Sequence, residues 1–415
     1  MAIRIWRGDA PAISQVTRLT PGSVEVGDVF NITINGKTIS FTATIASLAN
    51  VAQGLAAAWN VSTIPECSEI TATVQGNVCD LTANTPSQPF TISASTVNGG
   101  VIDTQTLVAN TIVAASGPNF WNVAQNWSGG NLPVSGDDVY LADSAVDILY
   151  GLDQAAIAVN SLHIDQSFTG QIGLPTRNET GYAEYRLRYL RIAAATIEIG
   201  RNSGRGSARI QLDTGSTATT ISVYNTGSAA DAGGAVLWKG TSTAAALHLF
   251  RGTVGIAVQP DESATLGTLR IAPETNAGGE AEVVIGPGVT ITGGIEKGGG
   301  SLRFAGLAIA ELLQHDGSTT IDAGNIAALR VRGGTVVYNS TGTLGGAVVS
   351  AAGKLDFSHD LREKIVGGAI EVYGAAAKIV DPYQVVNNLT LDLNETAPTG
   401  LDIGANIRLV RSNLS

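Results

Sequence analysis

Residues 120–143 read FWNVAQNWSGGNLPVSGDDVYLAD. Two of the 5 Trp in 415 residues, Trp121 and Trp127, stand six positions apart here and run straight into Gly129-Gly130, Pro133 and the acidic pair Asp137 and Asp138. Two large rings, a tight turn and a Gly-Asp-Asp step are what a lid over an exposed apolar end would need. The segments that follow supply such an end. From about residue 145 short apolar stretches (AVNSLHID, ATIEIG, ARIQLD, TISVYN, AEVVIGPGVTITGG, GSLRFAG, AIEVYG) alternate with Gly, Asn, Asp and Ser. Two pieces align with each other, LHLFRGTVGIAVQPDESATLGTLRIA (247–272) and LRVRGGTVVYNSTGTLGGAVVSAAGKLDF (329–357). Both run apolar-x-apolar, Arg-Gly, Thr-Val, a variable turn and a second strand.

Strands of this length, one turn residue per corner and few aromatics fit a parallel β-solenoid whose coils of about 20–25 residues bury Val, Ile, Leu and Ala inward. A β-sandwich would need evenly spaced two-residue hairpin turns, and Asn-Gly or Asp-Gly pairs are almost missing after residue 145, Asp316-Gly317 being one. The first coil of a solenoid exposes its apolar interior to water, so Trp121 and Trp127 read as its cap. Asp137 and Asp138 lead from that cap into the first strand.

Composition narrows the remaining classes. Hydrophobic residues make up 44% and charged ones 14%, so the chain has the apolar area to fold. A net charge of −11 argues against nucleic acid as a partner, which calls for surplus Lys and Arg, and against anionic membranes. No N-terminal apolar run resembles a signal peptide and no stretch approaches the ~20 apolar residues of a membrane span, so the sequence predicts synthesis without a cleaved export signal. Arg7-Gly8-Asp9 reads as a simple turn.

Residues 24–43, VEVGDVFNITINGKTISFTA, form a hairpin about Asn35-Gly36, pairing Ile32 with Ile39 and Phe30 with Phe41. One side of that ribbon is apolar. SLANVAQGLAAAWN supplies a cover, with Ser47 as N-cap and Leu48, Val51, Leu55 and Trp59 at helical spacing. A second hairpin turns at Gly76-Asn77, and in its register Cys79 faces Val74 or Thr73 rather than Cys67, so both cysteines read as free thiols. The pattern is β-β-α-β-β over roughly residues 10–100.

With these motifs in view, two resemblances emerge. The order "GDVFNITING…SLANVAQGLAAAWN…EITATVQGNVCDLTAN…PFTISAS" is similar to a small module found in head and tail proteins of tailed bacteriophages, and covers about 75 residues. The string W-x-x-x-x-NWSGG-x-x-P-x-x-GDDV resembles the lead-in to right-handed β-helices of bacterial and phage surface proteins. Together they imply a mainly β protein, a small N-terminal α+β domain followed by a single-stranded right-handed parallel β-helix of the pectin-lyase-like type. The expected divisions are a docking module at 1–103, a linker at 104–117, the cap at 118–144, the β-helix at 145–380 and C-terminal strands at 381–415. They imply a virion structural protein, a capsid decoration or head-fibre protein, homotrimeric and bound to the major capsid protein or another virion protein. The alternatives are a tail fibre or tailspike and a bacterial surface adhesin.

Residues for chemistry are sparse. Asp137, Asp138, Asp143, Asp147 and Asp153 lack the spacing of a calcium loop. His163, His248, His315 and His359 are far apart with no ligand pairing, so no metal and no cofactor is expected. A tailspike glycosidase would draw its two carboxylates from Glu311, Asp316 and Asp322 or from Asp356, Asp360 and Glu363, but sugar grooves need aromatic lining that the second half of the chain lacks. The expectation is no enzyme. One cluster stands out: Arg186, Arg188, Arg191, Arg201, Arg205 and Arg209 interleaved with Tyr182, Tyr185 and Tyr189. Arg and Tyr are enriched at interfaces, so Tyr182, Tyr185, Arg186, Arg188, Tyr189 and Arg191 are the expected subunit interface. A solvated strand face is the alternative.

Overall fold

The computed structural model describes residues 2–272, 281–394, 400–404 and 407–410. It is mainly β, and most of its strands belong to one continuous parallel sheet wound into a solenoid. Residues 16–113 form a separate unit with its own hydrophobic core.

In that unit, strands Val29–Ile34 and Lys37–Thr42 pair with Phe30 opposite Phe41 and Ile32 opposite Ile39, the register that the Asn35-Gly36 turn dictates. Ile92–Val97 adds the third strand. A second sheet runs Ile70–Gln75, Val78–Ala83, Val16–Gly22, Thr106–Val113, all antiparallel. The helix Leu48–Asn60, capped by Ser47, buries Val51, Ala52, Leu55, Ala56 and Trp59. Gly54 is where the helix meets Phe41: a Cβ there would fall 2.1 Å from the ring, which explains why a poor helix former sits mid-helix. Cys79 lies opposite Val74, and it and Cys67 are buried free thiols.

The solenoid has three faces. On one, Ile197, Ile221, Leu247, Leu269, Ile295, Leu312 and Leu329 stack in register from coil to coil, all at most 2% exposed. Such aliphatic ladders follow from the period-2 alternation of each strand, repeated once per coil. On the second face Trp238, Phe304 and Tyr338 lie inward and are fully buried, so these three rings fill the core, whereas Tyr383 is 62% exposed. Strands such as Ala308–Gln314 bend through the corner to supply both the third face and the first. Coil length is uneven. Leu269 stacks on Ile295 twenty-six residues later, whereas Ile295 and Leu312 are separated by seventeen.

At that change the interior ladder Ile271, Lys297, Gln314, Val331 carries two polar members, both fully buried. Lys297 Nζ donates to the Asp316 carbonyl at 2.7 Å. Gln314 Nε2 donates to the Gly333 carbonyl at 3.0 Å, while its Oε1 accepts from Thr319 Oγ at 2.6 Å. Each of these side chains thereby turns its polar end to a corner carbonyl instead of leaving it unpaired in the core.

Two boundaries differ from the sequence reading. Ile3–Ile5, placed in the N-terminal module, is a solenoid strand, parallel to Asp138–Leu141 with Arg4 opposite Val139. The 104–117 stretch, read as a linker, contains the strand Thr106–Val113 paired to Val16–Gly22. The unit thus leaves and rejoins the solenoid at one place, where Ile13 and Ser116 bridge, Ile13 N to Ser116 O at 2.8 Å. Residues 411–415, assigned to the C-terminal strands, lie outside the described residues.

Candidate functional site

The cap is built from three tryptophans. Trp121 and Trp127 meet edge-to-face at 4.7 Å between centroids, and Trp6 packs on Trp127 at 5.2 Å. All three are 1% exposed. Trp127 Nε1 donates to the Trp121 carbonyl at 2.7 Å and Trp6 Nε1 to the Val146 carbonyl at 3.1 Å. Asn126, fully buried, accepts from Ala10 N and donates to the Gly117 and Phe120 carbonyls, each at 2.8 Å. Gly129 and Gly130 adopt φ of 70° and 65°, a turn that only glycine makes freely. The turn brings Ser128 Oγ to Ile5 N at 3.1 Å, and Asn126 O accepts Arg7 N at 2.8 Å. The motif therefore plugs the end and also blunts the free edge of the first strand.

The acidic pair serves the same joint. Asp137 accepts Ala2 N at 2.8 Å, Arg4 Nε at 2.9 Å and Val134 N at 3.2 Å. Burial works to raise its pKa, but Arg4 and the two amides hold it below the ordinary carboxylate range. Asp138 accepts Ser161 Oγ at 2.6 Å and Asn160 Nδ2 at 2.7 Å.

The Arg/Tyr cluster is not one strand face. Between Ile172, which bridges to Ile210, and the strand Leu190–Ile199, the chain makes an excursion pinched by an antiparallel bridge of Arg177 and Ala183. That excursion packs on the N-terminal unit of the same chain. Tyr182 OH donates to Glu69 Oε2 at 2.8 Å, Asn35 Nδ2 to the Ala183 carbonyl at 3.3 Å, and Arg186 to the Pro89 carbonyl at 3.3 Å. Arg186 also holds both oxygens of Glu184, at 2.8 and 2.9 Å, and Tyr185 packs against the unit's core. Burial raises the pKa of Glu69, with Tyr182 and Arg186 opposing.

The other members go elsewhere. Tyr189 is buried, with Lys239 Nζ 4.4 Å from its ring, and Arg188 lies 3.9 Å from Glu262. Arg191, Arg201 and Arg209 pair with Asp153, Glu198 and Asp231. Sequence spacing showed these cations as a block although Glu184 and Glu198 within it pair with Arg186 and Arg201, and the remaining acids, Asp153, Asp231, Glu262 and Glu69, come from other coils and from the N-terminal unit. A cleft of about 550 Å³ opens beside this clasp, lined by Glu69, Asp147, Tyr150, Asn178, Glu184 and Arg186 among others.

The carboxylates considered for sugar cleavage are tied up: Glu311 with Arg330 at 2.8 Å, Asp322 with Arg303 at 2.6 Å, Asp356 with Lys354 at 2.6 Å, and Asp360 with Arg362 and Lys364. Asp316 caps its own turn through Gly317 N, and Glu363 accepts from Asn387 at 3.4 Å. Among the described residues no group of three or more His, Cys, Asp or Glu could hold a metal ion.

Sequence spacing missed one constellation. His163 looked isolated, yet its Nε2 lies 2.9 Å from Ser161 Oγ and its Nδ1 3.0 Å from Glu198 Oε2 on the next coil. Ser161 and His163 are two apart on one strand, a signal too common to notice before the stacking is known.

Comparison with protein-family models, curated proteins and solved structures returned no match.

Proposed function

We propose that this chain is a structural protein of a tailed-bacteriophage virion. In this reading the α+β unit docks on the particle and the solenoid projects from it as a single-stranded right-handed β-helix of the pectin-lyase type. The observation that carries the reading is the clasp: a separately cored unit is fixed to a long solenoid by a buried Glu184–Arg186–Tyr182–Glu69 network. A projecting shaft needs a joint that keeps its direction, and buried, fully partnered charges give a contact one geometry. The resemblance of the module and of the cap motif to phage proteins points the same way. The location we favour is the capsid, as a decoration or head-fibre protein. Its partners are the major capsid protein or another virion protein and two further copies of itself, and neither nucleic acid nor membrane takes part.

Quantitative mass spectrometry of purified particles tests this. Hundreds of copies per particle are expected for a decoration protein; a handful means a tail fibre or tailspike, and absence from particles refutes a virion role. Sedimentation equilibrium of the purified chain tests the trimer, and a monomer at all concentrations refutes it.

A further inference from the structure

The N-terminal unit closes one edge of its four-stranded sheet and leaves the other open. At the closed edge, Ile70–Gln75, the Asn60 side chain takes both backbone groups of Ala72, accepting from its N–H at 3.0 Å and donating to its carbonyl at 2.9 Å. Trp59 Nε1 donates to the Ile70 carbonyl beside it at 3.0 Å. At the opposite edge Thr106–Val113 pairs with Val16–Gly22 on one side and with no strand on the other; Ile92–Val97, from the second sheet, shares no ladder with it.

An open edge invites another chain, and proteins guard it with Lys, with Pro or with a covering segment. Thr106–Val113 is unguarded in all three ways. From Thr104 to Gly117 there is no ionisable side chain and no Pro, and Asn110, Thr111, Ile112 and Val113 are all exposed. Around the edge Val97, Val101, Ile102, Val108 and Ile112 are between 44% and 92% exposed. Ile112 is the residue at which the pairing with Val16–Gly22 slips, so it has no partner on that side. In a chain of net charge −11 copies repel one another, and this border is a place where two copies meet without opposing like charges.

The order of residues says what fits there. Read outward from Asn110 in both directions, the strand runs small (Ala109, Thr111), aliphatic (Val108, Ile112), aliphatic (Leu107, Val113). A strand with that symmetry matches itself when reversed. We propose that this edge pairs antiparallel with the same edge of a second copy, about a two-fold axis at Asn110, so that the two four-stranded sheets become one. Val108 of each copy then lies opposite Ile112 of the other, an apolar cross-strand pair made twice, as a self-complementary interface requires. The contact is two-fold, so it adds to the three-fold association proposed above and rests neither on it nor on a virion location. Where both hold, it ties neighbouring trimers edge to edge.

Sedimentation equilibrium of the wild type and of a Val108→Lys, Ile112→Lys double variant tests this, because Lys on an edge strand blocks strand addition. The wild-type mass should be twice that of the variant, whether the variant is a monomer or a trimer. Asn110→Cys supplies a second reading. Opposed residues of an antiparallel pair have Cα atoms about 4.5–5.5 Å apart, within the span of about 4.4–6.8 Å that a disulfide bridges. Mild oxidation should therefore convert Asn110→Cys to a covalent dimer. Val61→Cys, exposed at the end of the helix, should stay uncrosslinked, and Cys67 and Cys79 are buried. Circular dichroism checks that each variant folds. Equal masses for the wild type and the folded lysine variant, or a folded Asn110→Cys that crosslinks no more than Val61→Cys, overturns the pairing. A lysine variant that keeps the wild-type mass but no longer attaches to particles assigns the edge to another virion protein instead.

Discussion

Replacing Trp127 with Ala should unfasten one end of the solenoid and leave the rest intact. The ring is 1% exposed and sits between Trp6 and Trp121 at 5.2 and 4.7 Å. Truncating a buried Trp costs roughly 3–5 kcal/mol. The two edge-to-face contacts add about 0.5–1.5 kcal/mol each, and the Trp121 carbonyl left without its donor about 1 kcal/mol. These contributions overlap, so about 4 kcal/mol is a fair working value, close to a thousandfold in an equilibrium constant at about 1.4 kcal/mol per tenfold. A solenoid coil touches only its neighbours, so the deficit stays local. Native-state hydrogen exchange reads it directly. The Trp6 amide, bonded to the Tyr140 carbonyl at 3.0 Å, and the Arg7 amide should exchange on the order of a thousandfold faster. The Leu329 amide, bonded to the Gly346 carbonyl deep in the stack, should not change. Equal acceleration at Trp6 and Leu329, or none at Trp6, would refute the cap.

Lys297 should make the solenoid more stable as pH rises. Burial pushes its ammonium down to about 8 from 10.5, so between those values the unfolded chain holds a proton that the folded chain has released, and stability climbs with pH. Lys297→Met should flatten that rise in melting temperature against pH and gain on the order of 1–2 kcal/mol at pH 7 by removing a buried cation. Arg186→Glu would bury a carboxylate beside Glu184 and Glu69, costing about 3–5 kcal/mol. Small-angle scattering should show the N-terminal unit swinging free while circular dichroism keeps its β signature. The wild-type clasp, its Arg186 side chain 8% exposed, should resist high salt, which screens exposed charges far more than buried ones. Neither cysteine should react with a thiol reagent in the native protein, since both are buried and burial pushes Cys79 up to about 12; both should react in denaturant.

What the sequence made legible was local. Asn35-Gly36 set the register of the first hairpin, Ser47 marked the helix start, and apolar alternation with Gly corners announced stacked coils. Parallel neighbours leave no such mark, because no turn joins them: nothing near Ile3–Ile5 points to Asp138–Leu141. The run YRLRYLRI alternates like a strand, yet only its end, from Leu190, is one. Arg186, near its start, instead meets Glu69 at 4.0 Å and the Pro89 carbonyl at 3.3 Å, contacts set by the N-terminal unit's position rather than by periodicity. The Ser161–His163–Glu198 grouping was hidden for a related reason. Its members are neighbours only through coil stacking, and an uneven coil length leaves no fixed spacing to search for.

The bridge between Ile13 and Ser116 bears on how the molecule is made. The first solenoid strand leaves the ribosome long before its partner. At about 5–20 residues per second the wait for Asp138–Leu141 lasts roughly 7–30 s. The intervening unit can fold in that time, and its fold brings the two ends of the excursion together. A long open loop is thereby shortened before the strands must meet, and each halving of its length saves about 0.6 kcal/mol of closure entropy. The unit is thus cargo carried between the first and second rungs of the stack. Another compact fold with adjoining ends could ride in its place, with the tryptophan lid still closing over a rung supplied from the far side of the insertion.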